Sequence, residues 1–572
     1  MKLSIGDLFK NKFFWIATVV FLFGIFLRVY HFDDWLHFEL DQARDVFIIS
    51  NADSNGFSEM PLLGPQARGR DLQLGPIFYY FQYTSAKIFG VSPVTIAFPD
   101  LLFSILLIPL SYLFSRQFFS GSISLLLSLI TASSLFLVTY GRFAWNPNAM
   151  PFWTMLSVYA LMKVSGDFSG KNILSKVSWR FVLSVFSLVI AIQLHFIAFL
   201  CLPVVWLVYF FFSKIKISGI TCLVSFVVAV ILLSPMIVSD FRTGGKNIEG
   251  LIASVSEDRD DKHGLSEKVF RNFQETSTFF FVILTGDQNG RDMVLTKRGN
   301  QQNLKFKCDK DCENRLSYLI GAIISFVVCI TSFVHCAYKK CFAEDSNKRV
   351  FNPNVALIVS WLLMGGVFLT LVAYQISPRF YLFLFPPFLI LLGSFLRIVE
   401  EFFSKRGLYI VIVIVLMLTG FNLMYTFLEF SNLRRSRIEN IEPGRDLIMN
   451  RSDRITIGQL RDVADFIVSE RESKSVLIGD NRYARALYYL VSSGRGYSEL
   501  LCYMKRSGYQ EKNTLGRVVY VLVRDKSKNH IEDEMLETHF VNQEKSFGTL
   551  KLYELFPSDD SEREDLESCF AD

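Results

Sequence analysis

The chain has 572 residues, of which 51% are apolar and 15% aromatic, and its formal net charge at pH 7 is +5. An ordinary soluble protein of this length needs far fewer apolar side chains to fill its cores, so the excess has to face lipid. A net charge this small gives no support to nucleic-acid binding, and no nucleic-acid partner is expected.

The apolar residues are gathered in blocks of the length that carries a helix through ~30 Å of hydrocarbon. The first block follows three lysines, but no small-residue cleavage site comes after it, so we interpret it as a retained helix rather than a signal peptide. One long apolar run is divided at His195 because a single helix of that length would overshoot the bilayer. The blocks predict eleven spans, at 13–29, 94–114, 120–139, 149–163, 180–194, 196–212, 218–236, 316–337, 355–374, 380–397 and 408–428.

The placement of positive residues gives these spans an orientation. With the N-terminus in the cytoplasm, the inside connections hold most lysines and arginines, whereas the short outside connections hold only Arg142 and Arg379. An odd number of spans leaves the C-terminus outside. The sequence thus predicts a polytopic α-helical membrane protein, with an extracytoplasmic C-terminal domain, in a bacterial inner or plasma membrane.

The predicted membrane region covers 1–429 and includes two long outer loops, 30–93 and 237–315. A small soluble α/β domain follows at 430–557, because helical stretches there alternate with β-rich runs, and an acidic tail occupies 558–572.

Two apolar stretches, 74–89 and 279–284, are too short to span the bilayer, and we expect both to lie along the outer membrane surface. The nine cysteines show no C-x-x-C spacing, so a zinc site is not expected. Cys308 and Cys312 lie in a polar loop, where they could form a disulfide in an oxidising compartment or remain free thiols.

An acidic motif, E-L-D-Q-A-R-D at 39–45, opens the first outer loop. If it is helical, Asp41 and Asp45 lie one turn apart with Arg44 between them. A carboxylate beside a cation can stay ionised and accept a proton from a hydroxyl group. Acidic residues also favour first helical turns, and from the spacing alone a helix charge pair is the simpler explanation.

Two Gly-Pro corners surround Arg68 and Arg70 and lead into a stretch with Tyr79 and Tyr80. Arginines in a tight loop can present hydrogen-bond donors to a phosphate. Contacts with lipid headgroups would explain the same arginines equally well.

The junction Y-G-R-F-A-W-N-P-N at 140–148 brings Arg142 and Asn148 to an outer helix end, where its aromatic residues could be simple interface anchors. His195 lies at the tip of the fifth span, and a lone histidine there is more often a hydrogen-bonded interface residue than a ligand.

The late motif S-P-R-F-Y at 377–381 contains Arg379 and Tyr381. Arg379 is an outside arginine that runs against the positive-inside trend. A functional anion beside it would explain this placement.

The order of these motifs along the chain resembles the GT-C superfamily of membrane glycosyltransferases. An acidic motif follows the first span, a Gly/Pro corner precedes a Tyr-Tyr helix, and F-P-D-L-L-F, G-R-F-A-W-N-P-N and P-R-F-Y come later. Within the superfamily, the chain is most similar to the family of protein O-mannosyltransferases and lipid A aminoarabinose transferases. The similarity covers residues 10–165 best and 370–395 less well.

This resemblance implies an inverting glycosyltransferase that moves a hexose or pentose from a polyprenyl-phosphate donor to a hydroxyl group of a lipid, glycan or protein on the non-cytoplasmic face. By position, Asp41 would be the general base. Arg142 and Arg379 would stabilise the lipid phosphate, and Tyr79 and Tyr80 would line the lipid-side entrance. The further residues assigned to substrate binding are Arg44, Asp45, Arg68, Arg70, Asn148, His195 and Tyr381.

Two positions depart from the family pattern. The family usually has Asp-Glu where this chain has Asp41-Gln42, and commonly an Asp where this chain has Asn148. The loss of these carboxylates argues against a divalent metal, although Asp45 or Glu39 could substitute for them.

Two other functions were weighed against this one. A transporter or flippase for lipid-linked sugar should show inverted repeats and ionisable residues near mid-membrane, and the sequence indicates neither. A catalytically inactive scaffold of the same fold stays open because of the missing carboxylates.

Overall fold

A computed structural model gives the fold of the chain. Arg68, Arg70, Cys308 and the tail after residue 558 lie outside the residues it describes, and so do the predictions made for them. The described residues are 12–66, 72–164, 177–256, 264–288, 294–297, 304–307, 312–339, 352–373, 376–439, 448–449, 454–469, 475–479, 483–495, 501–504, 517–524, 536 and 538–558.

Helices dominate the chain up to residue 435. Within the described residues, seven helices are long and apolar enough to cross a membrane, and four shorter apolar helices complete the set of eleven predicted spans. The predicted multi-pass helical architecture is therefore confirmed. The helices are α1 (Lys12–Val29), α2 (Leu40–Asn55), α3 (Ile77–Phe89), α4 (Phe98–Ser115), α5 (Gly121–Ser133), α6 (Leu135–Tyr140), α7 (Met150–Met162), α8 (Trp179–Leu194), α9 (Phe196–Ser213), α10 (Gly219–Thr243), α11 (Lys246–Ser256), α12 (Leu265–Thr285), α13 (Cys312–Tyr338), α14 (Pro353–Leu371), α15 (Tyr381–Phe402) and α16 (Gly407–Arg435).

Two breaks in the membrane helices have clear local causes, and only the first was predicted. The division at His195 is observed, and its ring Nδ1 accepts a hydrogen bond from the Ile197 amide at 3.2 Å, which caps the start of α9. The span predicted at 120–139 is two helices, α5 and α6, separated at Ser134. The Ser134 hydroxyl donates to the Ile283 carbonyl at 2.9 Å, and this bond holds the break against α12.

The apolar stretch 279–284 does not lie along the membrane surface, so that prediction is wrong. It forms the C-terminal end of the 21-residue helix α12. Phe279 is buried and stacks on Tyr381 with ring centroids 4.4 Å apart. The polar residues that precede the stretch continue the helix, and this extra length lets the apolar end pack into the core.

The C-terminal region contains a mixed sheet of five strands in the order β4-β3-β5-β7-β6, flanked by helices. β3 pairs in parallel with β4 and β5, whereas β7 is antiparallel to β5 and β6. The predicted α/β class is confirmed, although the sequence did not predict β4. The elements are α17 (Ile457–Ser469), β3 (Val476–Gly479), α18 (Ala484–Arg495), β4 (Leu501–Met504), β5 (Val519–Arg524), β6 (His539–Phe547) and β7 (Leu550–Pro557), and a separate hairpin is formed by β1 (Val294–Lys297) and β2 (Leu304–Lys307).

The C-terminal domain is attached to the loop between α1 and α2. The amides of Ile457 and Gly458, at the start of α17, donate to the carbonyls of Leu36 and Asp34 at 3.0 and 3.1 Å. Arg437 pairs with Asp34 at 3.1 Å and with Asp462 at 2.7 Å, so it joins the loop to α17. The domain therefore lies directly over the part of the chain that leads into α2.

Candidate functional site

Helix α2 begins at the acidic motif because the motif caps its own N-terminus. Glu39 is the N-cap residue, and its amide donates to the Gln42 side-chain Oε1 at 3.1 Å. Asp41 lies in the first turn, where a negative charge interacts favourably with the helix dipole. The cap fixes the direction in which the acidic residues project from α2.

Arg44 joins the two aspartates of the motif. It donates to Asp45 Oδ1 from Nη2 at 2.7 Å and to Asp41 Oδ1 from Nη1 at 3.3 Å. The Asp45 side chain is fully buried, whereas 45% of the Asp41 side chain is exposed. Asp45 thus holds the arginine from its buried side, and Asp41 is the carboxylate that a ligand can reach.

Burial dominates the electrostatics of Asp45. Desolvation raises the pKa of its carboxyl group to about 6, although the charge and hydrogen bond of Arg44 favour the ionised form. Burial lowers the pKa of Arg44, but attraction to Asp45, Tyr79 and Asp41 outweighs it and leaves that pKa above its usual range. The arginine therefore stays charged, and Asp45 titrates near neutral pH.

The two tyrosines of α3 have different surroundings. Tyr79 is buried beside Arg44 and Asp45, and its pKa is raised by burial and then by the charge of Asp45. Its neighbours belong to the acidic group, because α3 packs against α2. Tyr80 is half-buried and contacts the Phe57 ring, with centroids 5.6 Å apart.

The structure gives Arg142 a backbone-binding role that the sequence did not predict. The side chain is buried, and its guanidinium donates to the carbonyls of Leu27 (3.1 Å), Arg28 (2.9 Å) and Tyr30 (2.7 Å) at the end of α1. These are carbonyls that a helix end leaves without internal partners. Arg142 is thus held by α1, and its contacts do not bring it to the acidic group.

The other polar side chain of this junction also serves the backbone. The Asn148 Nδ2 donates to the Phe143 carbonyl at 2.7 Å, and the side chain is buried. This bond closes the turn between α6 and α7. Asn148 therefore shapes the junction, and the structure does not place it against Asp41.

Arg379 contacts the 140–148 junction. Its guanidinium lies over the Trp145 ring at 4.6 Å, and the neighbouring Phe380 contacts the His195 ring at 5.2 Å. The cation–π contact holds the guanidinium against the 140–148 junction. His195 is committed to its cap of α9, as described above, and Tyr381 is buried against α12.

Asp100 contacts the residue whose ring holds Arg379, and sequence reasoning missed it. Its Oδ2 accepts a hydrogen bond from the Trp145 amide at 3.1 Å. The side chain is buried, and it lies within electrostatic reach of Asp45. A carboxylate in the first turn of the apolar helix F-P-D-L-L-F was the sequence signal that could have identified it.

Comparisons with known proteins match the fold. ArnT from Cupriavidus metallidurans, solved with undecaprenyl phosphate bound, matches with a TM-score of 0.50 at 12% identity, over 95% of this chain and 97% of that one. The chain has a GT-C-like fold. The superfamily resemblance predicted from the motifs is thereby confirmed at the level of the fold.

Archaeal oligosaccharyltransferase structures are also similar to this chain. The oligosaccharyltransferase of Archaeoglobus fulgidus, tethered to an acceptor peptide with an NVT sequon, gives a TM-score of 0.48 at 13% identity over 90% of this chain and 69% of that one. The same organism's AglB with an inhibitory peptide and a dolichol-phosphate gives 0.49 at 12%, and the chain spans 64% of its length. No family model and no curated protein matches the sequence.

In this GT-C-like fold, the donor set at the site does not fit a divalent metal. Among the described residues, no group of three or more His, Cys, Asp or Glu side chains could hold one. The Gln42 amide Nε2 donates to the Ala144 carbonyl at 2.9 Å, so this position acts as a tether between α2 and the 140–148 junction. Asp41 and Asp45 share one arginine, and we derive no step through a metal ion.

Proposed function

We propose that the protein is an inverting glycosyltransferase that moves a sugar from a polyprenyl-phosphate donor to a hydroxyl acceptor outside the cytoplasm. The observation that carries the proposal is the half-exposed carboxylate of Asp41, held by Arg44 and the buried Asp45. Arg379, which lies over the Trp145 ring, supplies a cation for the lipid phosphate, and Asp100 accepts a hydrogen bond from the Trp145 amide.

In the proposed reaction, Asp41 accepts the proton of the acceptor hydroxyl group as its oxygen attacks the anomeric carbon. The bond between that carbon and the phosphate oxygen breaks, and the polyprenyl phosphate leaves with the electron pair. Arg379 stabilises the charge that develops on the phosphate. Attack from the face opposite the leaving group inverts the anomeric configuration, and the proton leaves Asp41 for solvent.

Arg44 and Asp45 support the base in this proposal. Arg44 holds Asp41 in place, since its Nη1 donates a hydrogen bond to Asp41 Oδ1 at 3.3 Å. Asp45 holds Arg44 in place from its buried side. The positive-inside distribution of charge supports an extracytoplasmic site. The structurally similar ArnT was solved with undecaprenyl phosphate bound, which supports a lipid phosphate as the ligand by analogy.

The test is transfer by the purified full chain in lipid vesicles that contain polyprenyl-phosphate hexose or pentose donors and hydroxyl acceptors. We expect Asp41→Asn to bind donor normally and to lose about 10²- to 10⁴-fold in transfer, the range typical of a missing general base. Asp53→Asn is a matched control on the same helix, because Asp53 pairs with Lys87 at 2.6 Å. Transfer at the wild-type rate by Asp41→Asn would contradict the role of Asp41.

The amides at Gln42 and Asn148, where the family has carboxylates, favour a second candidate, a catalytically inactive scaffold of the same fold. The same experiment separates the two. A wild-type protein that binds the donor but consumes it with no lipid, glycan or peptide acceptor would be the scaffold.

A further inference from the structure

Helix α18 of the C-terminal domain packs along α2, the helix that carries Asp41. The Phe47 ring on α2 contacts the rings of Tyr489 and Tyr488, with centroids 5.1 and 6.1 Å apart. The Phe38 ring, just before α2, contacts Tyr489 at 6.2 Å. These aromatic contacts fix α18 against the N-terminal half of α2.

A hydrogen bond joins the C-terminal domain to the residue that begins α2. The Tyr483 hydroxyl, directly before α18, donates to Glu39 Oε1 at 2.9 Å, and both side chains are buried. A buried bond of this kind is costly to break, because the group left behind stays desolvated. Glu39 is the N-cap of α2, so the domain holds the residue from which this helix starts.

His37 belongs to the same group of contacts. Its Nε2 lies 3.6 Å from Glu39 Oε1, and its ring contacts the Phe143 ring with centroids 5.2 Å apart. The His37 backbone also forms a bridge with Thr456, at the start of α17. The Glu39 side chain therefore lies where the domain, the α1–α2 loop and the 140–148 junction meet.

The first turn of α2 is held from a second side by Gln42. The Gln42 side chain accepts from the Glu39 amide at 3.1 Å and donates to the Ala144 carbonyl at 2.9 Å. Asp41 lies between Glu39 and Gln42 in this turn. Because one of these residues is held by the domain and the other by the junction, the direction in which Asp41 projects depends on both contacts.

We propose that Tyr483 is a positioning residue for Asp41, supplied by the C-terminal domain and acting through Glu39, so that the site is complete only with this domain in place. The role of Asp41 as base rests on the proposed function, whereas the hold of Tyr483 on the start of α2 does not.

The domain's attachment has other supports than the Tyr483 hydroxyl. The backbone hydrogen bonds of α17 to the α1–α2 loop and the ion pairs of Arg437 join the domain to this loop, and Arg461 adds a pair with Asp33 at 2.8 Å. Tyr483→Phe should therefore remove one hydrogen bond and leave the domain in place.

The test is hydrogen–deuterium exchange of the full chain in nanodiscs, measured by mass spectrometry. In Tyr483→Phe, exchange in the first turn of α2 should rise about 3- to 10-fold, the effect expected from the loss of one hydrogen bond. The Ala43 amide, which donates to the Glu39 carbonyl at 2.8 Å, reports on this turn. The amides of Ile457 and Gly458 report on the attachment of the domain, and their exchange should stay at the wild-type level.

Tyr489→Phe is the matched control, since it removes a hydroxyl from α18 and keeps the ring that contacts Phe47. Its exchange in α2 should match the wild type. An unchanged first turn in Tyr483→Phe would overturn the proposal, and so would an equal rise in Tyr489→Phe. A rise at Ile457 and Gly458 as well would show that the hydroxyl holds the whole domain rather than the start of α2, which would also overturn it.

Activity supplies the second measurement. Where transfer is measurable, Tyr483→Phe should lower kcat about 10-fold and leave the KM for the lipid donor unchanged, because a displaced base slows the reaction without weakening lipid binding. A wild-type kcat, or a rise in KM alone, would overturn the positioning of Asp41 by Tyr483. If the wild type transfers no sugar, the proposed function fails, but the exchange result still decides whether Tyr483 holds the start of α2.

Discussion

Arg44 donates two hydrogen bonds to a single oxygen of Asp45, from Nε at 3.0 Å and from Nη2 at 2.7 Å. The bonds hold the guanidinium between the buried Asp45 and the half-exposed Asp41. The position of Arg44, and hence its support for Asp41, depends on Asp45 being ionised.

This relationship predicts a pH dependence of transfer. Burial raises the pKa of Asp45 to about 6, so the carboxylate is ionised at pH 7.5 and largely protonated at pH 5. Activity should therefore fall as the pH falls through about 6, since neutral Asp45 loses its attraction for Arg44. Asp45→Asn should be slow at every pH and lack this acid limb. A pH–rate profile of both proteins tests this, and an unchanged limb in Asp45→Asn would contradict it.

Replacement of Gln42 by glutamate, the usual residue in the family that the sequence resembles, should destabilise the protein. The Gln42 Nε2 donates to the Ala144 carbonyl, and a glutamate would place an acceptor against an acceptor in a buried position. We expect Gln42→Glu to lower the free energy of unfolding by about 1–3 kcal/mol without a gain in transfer. Thermal unfolding and a transfer assay with added divalent cations test this. Higher activity with a metal would contradict our account of the site.

Arg142 should be a stability residue rather than a phosphate ligand. Arg142→Met removes the donors to three carbonyls at the end of α1, and we expect a loss of about 3 kcal/mol in stability. Donor binding per folded molecule should stay near the wild-type value. The opposite pattern, normal thermal unfolding with lost binding of polyprenyl phosphate, would restore the phosphate role predicted from its motif.

Arg379 should carry the affinity for the lipid phosphate. Loss of a charge-assisted hydrogen bond is worth about 1.5–3 kcal/mol, so Arg379→Gln should raise the Kd for polyprenyl phosphate about 10- to 100-fold. Arg397→Gln, which removes an exposed arginine paired with Glu401 at 2.9 Å, is the control. The test is the Kd for polyprenyl phosphate of both variants, measured in nanodiscs. Equal Kd values for the two variants would show that Arg379 does not bind the phosphate.

The membrane architecture was predictable because block length and hydropathy directly reflect the thickness of the bilayer. The break at His195 followed from the same argument. The stretch 279–284 was misplaced because its length alone gave no sign that the polar residues before it would continue the helix. The position of this stretch depends on tertiary packing, which cannot be read from the local sequence pattern.

The candidate site was predictable only in part. Motif order indicated Asp41 and Arg379. Asp100 was missed because its contact with Trp145 joins distant segments of the chain. The backbone contacts of Arg142 and Gln42 were not predictable, since a motif gives a residue's position but not whether its donors are already engaged by the backbone.

The most direct test of the central claim is mass spectrometry of lipids, glycans and proteins from cells of the source organism with the gene, without it, and with the gene encoding Asp41→Asn. We predict that one sugar modification disappears when the gene is deleted, returns with the wild-type gene and stays absent with Asp41→Asn. Identical modifications in all three strains, or full restoration by Asp41→Asn, would contradict the proposed transfer.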